Sequence, residues 1–510
     1  MMKHLHNIAL TALALTGMAA TAQTPAAGAH LSVADRMLLT DTLYAGSAAA
    51  TLANPALAGW RHPVSLSAVS VSYRRNGSDE APVAALGREN AFATFLARTY
   101  IKTGKSTITG HASYSTGRRF GVQLCEVSDP QLLYPYFTAD EIGGSMASES
   151  YVFGGSYSSS FHGGKWLYGA SLDYRATQEY RDRDPRPKNT VGQLDAAFGM
   201  GHRFDRGYIL AAGVRASKYR QSNSMMFVSE LGEVKIYHLT GLGTDYVRFA
   251  GTGKNSNYSG WDLGASLSLY PEESGVYASA TYDRFSLKKI LKEFNNLPLC
   301  SLRDHSVKAQ LGWKSQSWIA GADFGYVRRS GAEHIFGDAA GNVYPELFAL
   351  DSFRRSSLSV SGHGLWRRLS RRSRLDVALR VGYSSVREEY ITLQPLRKSD
   401  IGRLDATASA RWLRRLSDRW MLHTGADVTV SRNVKASLEG LDGATGIFAD
   451  GVRKDFYWLS GNSVEAGAQA GADCSLRDNR ALGIRLAYTW TALRGSNRGY
   501  RLAATLAFTF

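Results

Sequence analysis

The order of connections constrains this chain more than any single motif. From Val64 onward, segments with two-residue periodicity are joined by turns that alternate in length. Short turns fall at Lys102 to Lys105, His162 to Lys165, Asp205 to Gly207, Pro271 to Gly275, Lys314 to Ser317, Ser370 to Ser373, Ser417 to Asp418 and Arg477 to Asn479. Between them lie connections that are usually longer, such as Arg118 to Ser148, Gln221 to Ser259, Ser330 to Asp351 and Asn433 to Ser460. A soluble sandwich has no reason to keep that order. An antiparallel up-and-down barrel crossing a membrane does, with short turns on one rim and long loops on the other.

The segments carry the matching side-chain pattern. Trp166, Tyr168, Ala170, Leu172 and Tyr174 alternate with Leu167, Gly169, Ser171, Asp173 and Arg175, and Leu375, Val377, Leu379, Val381 and Tyr383 alternate with Asp376, Ala378, Arg380, Gly382 and Ser384. One face suits lipid and the other water, the inverse of a soluble barrel. A mean hydropathy of -0.23 is too polar for a helical membrane protein, and no internal run of about 18 apolar residues is present. Counting from Val64 to Phe510 predicts an all-β transmembrane barrel of about 18 strands with both termini periplasmic. Sixteen or fourteen strands also fit, because the first strand changes parity around Ala68 and Val69, where a bulge would account for it. Tryptophan prefers membrane interfaces. Trp166, Trp313, Trp318, Trp366, Trp412 and Trp420 flank the short turns, while Trp261, Trp458 and Trp490 fall near the opposite ends.

The two ends of the chain supply the address. Lys3, the apolar stretch Ile8 to Ala20 and Ala20-Thr21-Ala22 form a secretory signal over residues 1–22. Residues 23–62 then form a periplasmic N-terminal segment or plug, and residues 63–510 the barrel. In the last strand Tyr500, Leu502, Ala504, Leu506, Phe508 and Phe510 share one face. Phe508 and the terminal Phe510 are expected to be read by the barrel-assembly machinery of a Gram-negative outer membrane, and this strand to pair with Val64 to Tyr73. Asn54-Pro55-Ala56 resembles an element near the N-terminus of FadL-type transporters of hydrophobic compounds, which implies hydrophobic cargo and a lateral opening. The Ala-rich segment before the first strand and the closing Leu506-Ala507-Phe508-Thr509-Phe510 resemble an uncharacterised family of outer-membrane barrels of Bacteroidota-type bacteria. A TonB-dependent receptor is not expected, since the residues before strand one are too few for its plug domain.

The formal net charge of +16 does not point to nucleic acid, because the basic residues form no single tail or helix face. Many sit at short turns, as do Arg367, Arg368, Arg371, Arg372 and Arg374, where they would meet lipid phosphates. Of the three cysteines, Cys125 and Cys300 are read in external loops, either bridged or free, and Cys474 on an outward face. His111, His363 and His423 stand on strands without a Gly-x-Ser-x-Gly or His-Glu-x-x-His motif, so neither an enzyme, a cofactor nor a metal site is expected. Inward positions carry both signs of charge. Asp173, Arg175, Arg215, Asp323, Arg380, Asp405, Asp427 and Arg485 are the pore-lining candidates, and the same groups could equally knit the wall or hold an internal plug. The apolar stretch Gln131 to Phe137 and the loop Gln221 to Ser259 either fold inward, bind at the surface or pack on each other. Ala406, Ala408 and Ala410 share an outward face with Ala426 and the Ala466 to Ala472 row, which suits either lipid or a protein partner such as a second copy. The function expected is a channel or transporter for an unidentified solute. The alternative is a non-transporting accessory barrel that binds at the cell surface.

Overall fold

The computed structural model describes residues 31–40, 42–229, 234–249, 251, 254–341, 343–477, 479–495 and 497–510; the signal peptide expected over residues 1–22 lies outside these. Eighteen strands form one closed antiparallel sheet. They are β1 (Leu66–Ser78), β2 (Glu89–Thr103), β3 (Ser106–Val122), β4 (Gly144–Phe161), β5 (Trp166–Tyr180), β6 (Arg186–Phe204), β7 (Tyr208–Met226), β8 (Ser256–Pro271) and β9 (Gly275–Leu291). The circuit continues through β10 (Leu297–Lys314), β11 (Trp318–Phe336), β12 (Glu346–Leu369), β13 (Ser373–Tyr390), β14 (Arg397–Arg415), β15 (Trp420–Glu439), β16 (Ser463–Leu476), β17 (Arg480–Ala492) and β18 (Arg498–Thr509). Each strand pairs with its sequence neighbours, and β18 closes on β1 from Ala68↔Thr509 to Ser78↔Gly499. Full closure leaves no edge unpaired in the lipid-facing part of the wall, which a lipid environment requires.

Strand parity decides what each face meets. Leu172, Val214, Leu263, Leu311, Leu379 and Ile484 point outward and are each more than half exposed. Leaving such side chains in water would forgo roughly 1.5–3 kcal/mol apiece, so their natural covering is hydrocarbon. Trp166, Trp313, Trp318, Trp366 and Trp420 stand exposed beside the short turns, as interface anchors should. About 10 tilted residues suffice to cross the hydrocarbon layer. Most strands here are longer, β12 reaching 24 residues, so the wall rises well beyond the membrane on the long-loop side.

Three local expectations need correction. β1 pairs with β2 and β18 without a break in register, so no bulge lies at Ala68. The apparent parity change arises because Leu66 faces inward and packs against an internal helix. Cys300 is on β10 rather than in a loop, and Cys125 and Cys300 are both free and buried. Trp458 belongs to a helix, Ile447–Leu459, in the loop between β15 and β16, not to a strand end.

Candidate functional site: the occupied lumen

The segment before β1 lies inside the short-turn end of the barrel. Its first helix, Val33–Leu39, opens with a capping box: the Ser32 hydroxyl accepts the Asp35 N–H (3.2 Å) and the Asp35 carboxylate accepts the Ser32 N–H (3.3 Å). The helix buries Val33, Ala34, Met37 and Leu38 against Leu413, Met421, Ala481 and Leu66. A second helix, Thr42–Ser47, and two short 3-10 turns, Thr51–Ala53 and Pro55–Trp60, continue across the lumen. Leu52, Ala56 and Leu57 pack with Leu167, Ile209, Ile319, Leu365 and Tyr277 of the wall. Those wall residues occupy inward positions next to short turns, on faces whose sequence reads as wet. They form an apolar ring that the segment covers.

Polar groups of the wall satisfy the segment's main chain. Arg374 donates to the carbonyls of Leu38 (2.8 Å) and Thr40 (2.7 Å), and Tyr100 donates to that of Ala58 (2.9 Å). Gln310 donates to Ser47 O (3.1 Å) and accepts from the Thr51 N–H (3.2 Å). Asn54-Pro55-Ala56 is held most closely. Gly169, Gly199 and Gly213 lie side by side on β5, β6 and β7. A Cβ on Gly169 would come within 2.3 Å of Pro55 O, and one on Gly199 within 2.0 Å of Asn54 Oδ1. Glycine is required there for approach rather than for conformation.

The external end is occupied by loops. The β3–β4 loop folds inward, and Arg181 anchors it between Glu126 (2.7 Å) and Asp140 (2.6 Å), all three side chains being buried. Arg175 pairs with Asp129 (2.7 Å), and Arg329 bridges Asp304 (2.7 Å) and the carbonyl of Tyr134 (2.7 Å). Leu133, Tyr136 and Phe137 join Tyr246, Phe249 and Phe353 in one apolar cluster. Gln131 to Phe137 thus folds inward and at the same time packs on the loop Gln221 to Ser259, two of the readings open for it. Cys125 sits in the same cluster, where burial pushes its thiol up to about 11. The Ile447–Leu459 helix lies against this loop layer: a Cβ on Gly451 would meet Leu124 at 2.4 Å, and Asp455 accepts the Ala84 N–H at 2.9 Å. Burial raises the Asp455 carboxyl to about 7.

Between the two layers lies a cavity of about 230 Å³, lined by Arg215, Asp262, Asp283, Asp304, Lys308, Ser306 and Tyr219, among others. Arg215 reaches Asp262 (2.7 Å), Asp283 (2.9 Å) and, at 3.9 Å, Asp195. Lys308 lies 3.4 Å from Asp283. The lining is thus a lattice of alternating charge with both signs accessible, able to hold a polar solute from several sides.

The pore-lining candidates are not gathered into one site. Arg215 is at the cavity, and Arg175 is committed to Asp129 of the inward loop. Asp323 joins Arg380 (3.0 Å), His363 (3.1 Å) and Gln310 (2.6 Å), a network that continues to the N-terminal segment through Gln310. Asp173 lies 3.4 Å from His111, Asp405 is 3.7 Å from Arg403, Asp427 sits against Gly467, and Arg485 is 3.6 Å from Asp473. Asp283 and Asp304 were missed as candidates, although parity marks Asp283 as inward because its neighbour Tyr282 is exposed outward.

A lipid-facing wall around an interior filled from both ends defines a transmembrane β-barrel with an occupied lumen. Within that class the chain belongs to DUF6850, a family of unknown function, which matches residues 55–510. Among solved structures it is similar to BauA, the ferric preacinetobactin receptor of Acinetobacter baumannii, at 10% identity and TM-score 0.43, covering 87% of this chain and 80% of that one. It is similar also to the copper transporter OprC (9% identity, TM-score 0.39, 88% and 80% covered). A bacterial polysaccharide outer membrane secretin aligns at 11% identity and TM-score 0.32, with 87% and 97% covered. Comparison with curated proteins gave no match.

Proposed function

We propose that the protein is a solute transporter of a Gram-negative outer membrane, held shut at rest by its N-terminal segment below and its inward loops above. The observation that supports this reading best is the charged cavity between the two layers. A barrel that served only as a surface anchor would have no use for a cavity into which Arg215, Lys308, Asp262 and Asp283 converge. The mixed charge of the lining favours a polar solute over the hydrophobic cargo that a FadL-type kinship would bring, and no catalytic step is invoked. In this reading Asp173, Arg175, Arg215, Asp323, Arg380, Asp405, Asp427 and Arg485 line or brace the solute path, and Phe508 and Phe510 serve assembly. The second reading, a surface-binding barrel without transport, is favoured by the interlocked external layer, in which Lys454 also pairs with Glu80 at 2.9 Å.

Planar-bilayer conductance separates the two. The intact protein should be nearly silent. A Gly199→Val, Arg181→Met double variant, which displaces Asn54 below and frees the β3–β4 loop above while leaving the outer face untouched, should conduct, as should Arg181→Met combined with deletion of residues 31–60. A folded double variant in which hydrogen exchange shows both layers released, yet which passes no current and takes up no polar probe in liposomes, would sink the transport reading.

A further inference from the structure

One stretch of sheet above the membrane has an open edge. β12 pairs with β11 as far up as Glu346, but with β13 only from Phe353, above which Ile391 N–H donates to Ser352 O at 2.9 Å. Among the described residues, Glu346 to Asp351 therefore form the upper arm of a ribbon with no neighbour on the β13 side. Counting from Trp366 at the periplasmic interface, and allowing about 10 residues for the hydrocarbon layer, this arm stands roughly 20 Å above the outer interface.

The other edge of the same ribbon is covered. Above Glu333, the last β11 residue paired with β10, Tyr246 donates its hydroxyl to the carbonyl of His334, and Arg248 donates to those of Phe336 and Gly337. On the bare side Leu347 is 61% exposed, Phe348 54% and Leu350 40%. A long, flat, apolar free edge is a hazard that folded proteins ordinarily blunt with lysine, proline or a covering loop. This chain blunts one edge and leaves the other.

We propose that the Glu346–Asp351 edge takes up an extended strand from a partner protein at the cell surface, by strand addition. Apart from the Leu350 carbonyl, which accepts from the Ser352 hydroxyl at 3.2 Å, the main-chain groups of this edge call for a strand, and the apolar side chains on both faces call for alternating apolar residues in it. Acidic residues end the edge, Glu346 at one end and Asp351 at the other, so the complementary strand carries basic flanks. A second copy fits less well. Two barrels in one membrane share their axial direction, which brings like ends of this strand together and sets acid against acid.

Full-length protein in nanodiscs and the labelled peptide KVTVTVK provide the test, with fluorescence anisotropy as the readout. The peptide is expected to bind saturably. Methylating its alternate backbone amides should weaken binding at least tenfold, as should the triple variant Leu347→Lys, Phe348→Lys, Leu350→Lys, whose fold is checked by heat-modifiable migration. Phe348→Lys alone stands in should the triple variant misfold. Equal binding of the two peptides, no saturable binding, or a wild-type dimer that these lysines abolish would each overturn the proposal, the last by giving the edge to a second copy.

Discussion

The two layers that fill the lumen are held by different chemistry. Below, wall side chains donate to main-chain carbonyls of Leu38, Thr40, Ser47 and Ala58, Gln310 accepts from Thr51, and Arg415 pairs with Asp35 at 3.2 Å between partly exposed groups, with apolar packing beside them. Above, a loop tied at both ends by β3 and β4 is pinned by buried ion pairs, chiefly Arg181 with Glu126 and Asp140. Releasing the lower segment exposes apolar surface by degrees, at about 25 cal/mol per Å². Releasing the upper loop strands buried charges together. A layer held by apolar contact can be withdrawn turn by turn, whereas one held by buried charge opens all at once or not at all.

The largest expected effect that would break this contrast is at Arg181. Arg181→Met leaves Glu126 and Asp140 buried without their partner, a loss of about 3–5 kcal/mol. The β3–β4 loop should become open to protease while the barrel keeps its heat-modifiable migration; unchanged protection would show that the ion pairs do not hold this layer. Gly199→Val comes next, at about 1–3 kcal/mol of overpacking, and should raise amide exchange over residues 51–60 without touching the external loops. Exchange that rises equally in both layers would mean they move as one body.

The smallest effect is on pH, and it has opposite signs at the two ends. Burial, reinforced by Arg98, Arg61 and Lys102, lowers His62 from 6.5 to about 4. The released segment therefore takes up a proton that the seated one refuses, so seating weakens as pH falls from about 6.5 to about 4. Asp455 is raised from 3.8 to about 7 by burial. Its released form ionises first, so the external helix loosens as pH rises from about 4 to about 7 and changes little beyond. Amide exchange at pH 5 and pH 8 should show the two trends, and His62→Gln and Asp455→Asn should each flatten one of them. A helix Ile447–Leu459 equally protected at both pH values would remove Asp455 from the account.

Much of the wall was legible because strand parity is a local signal. The strand number, the outward Leu and Trp positions and the pairing of the last strand with the first follow from two-residue alternation and turn length alone. The interior was less legible, because its partners are distant in sequence. Leu167, Ile209, Ile319 and Leu365 are apolar residues at inward positions beside short turns, and their repetition on several strands was the available sign of an internal occupant. Leu66 gave the same sign, read as a bulge. The seat of Asn54-Pro55-Ala56 needed the register that sets Gly169, Gly199 and Gly213 side by side, which no local pattern carries. Arg215 was found by parity, but its role at the cavity depends on Asp262 and Asp283 from two other strands.

The junction between the N-terminal segment and the wall has a mechanical consequence. Arg36 donates to Ser65 O at 3.4 Å, Leu66 packs on the first helix, and Ser67 exchanges main-chain hydrogen bonds with Phe510 at 3.0 and 2.9 Å. A pull on the N-terminus out of the short-turn end therefore runs straight into β1 along its own axis. The ladders on both sides of that strand, to β2 and to β18, would be loaded in shear, with every rung sharing the force. The segment's contacts with the wall would give way a few at a time. Under such a pull the segment would peel from the wall before β1 leaves the sheet.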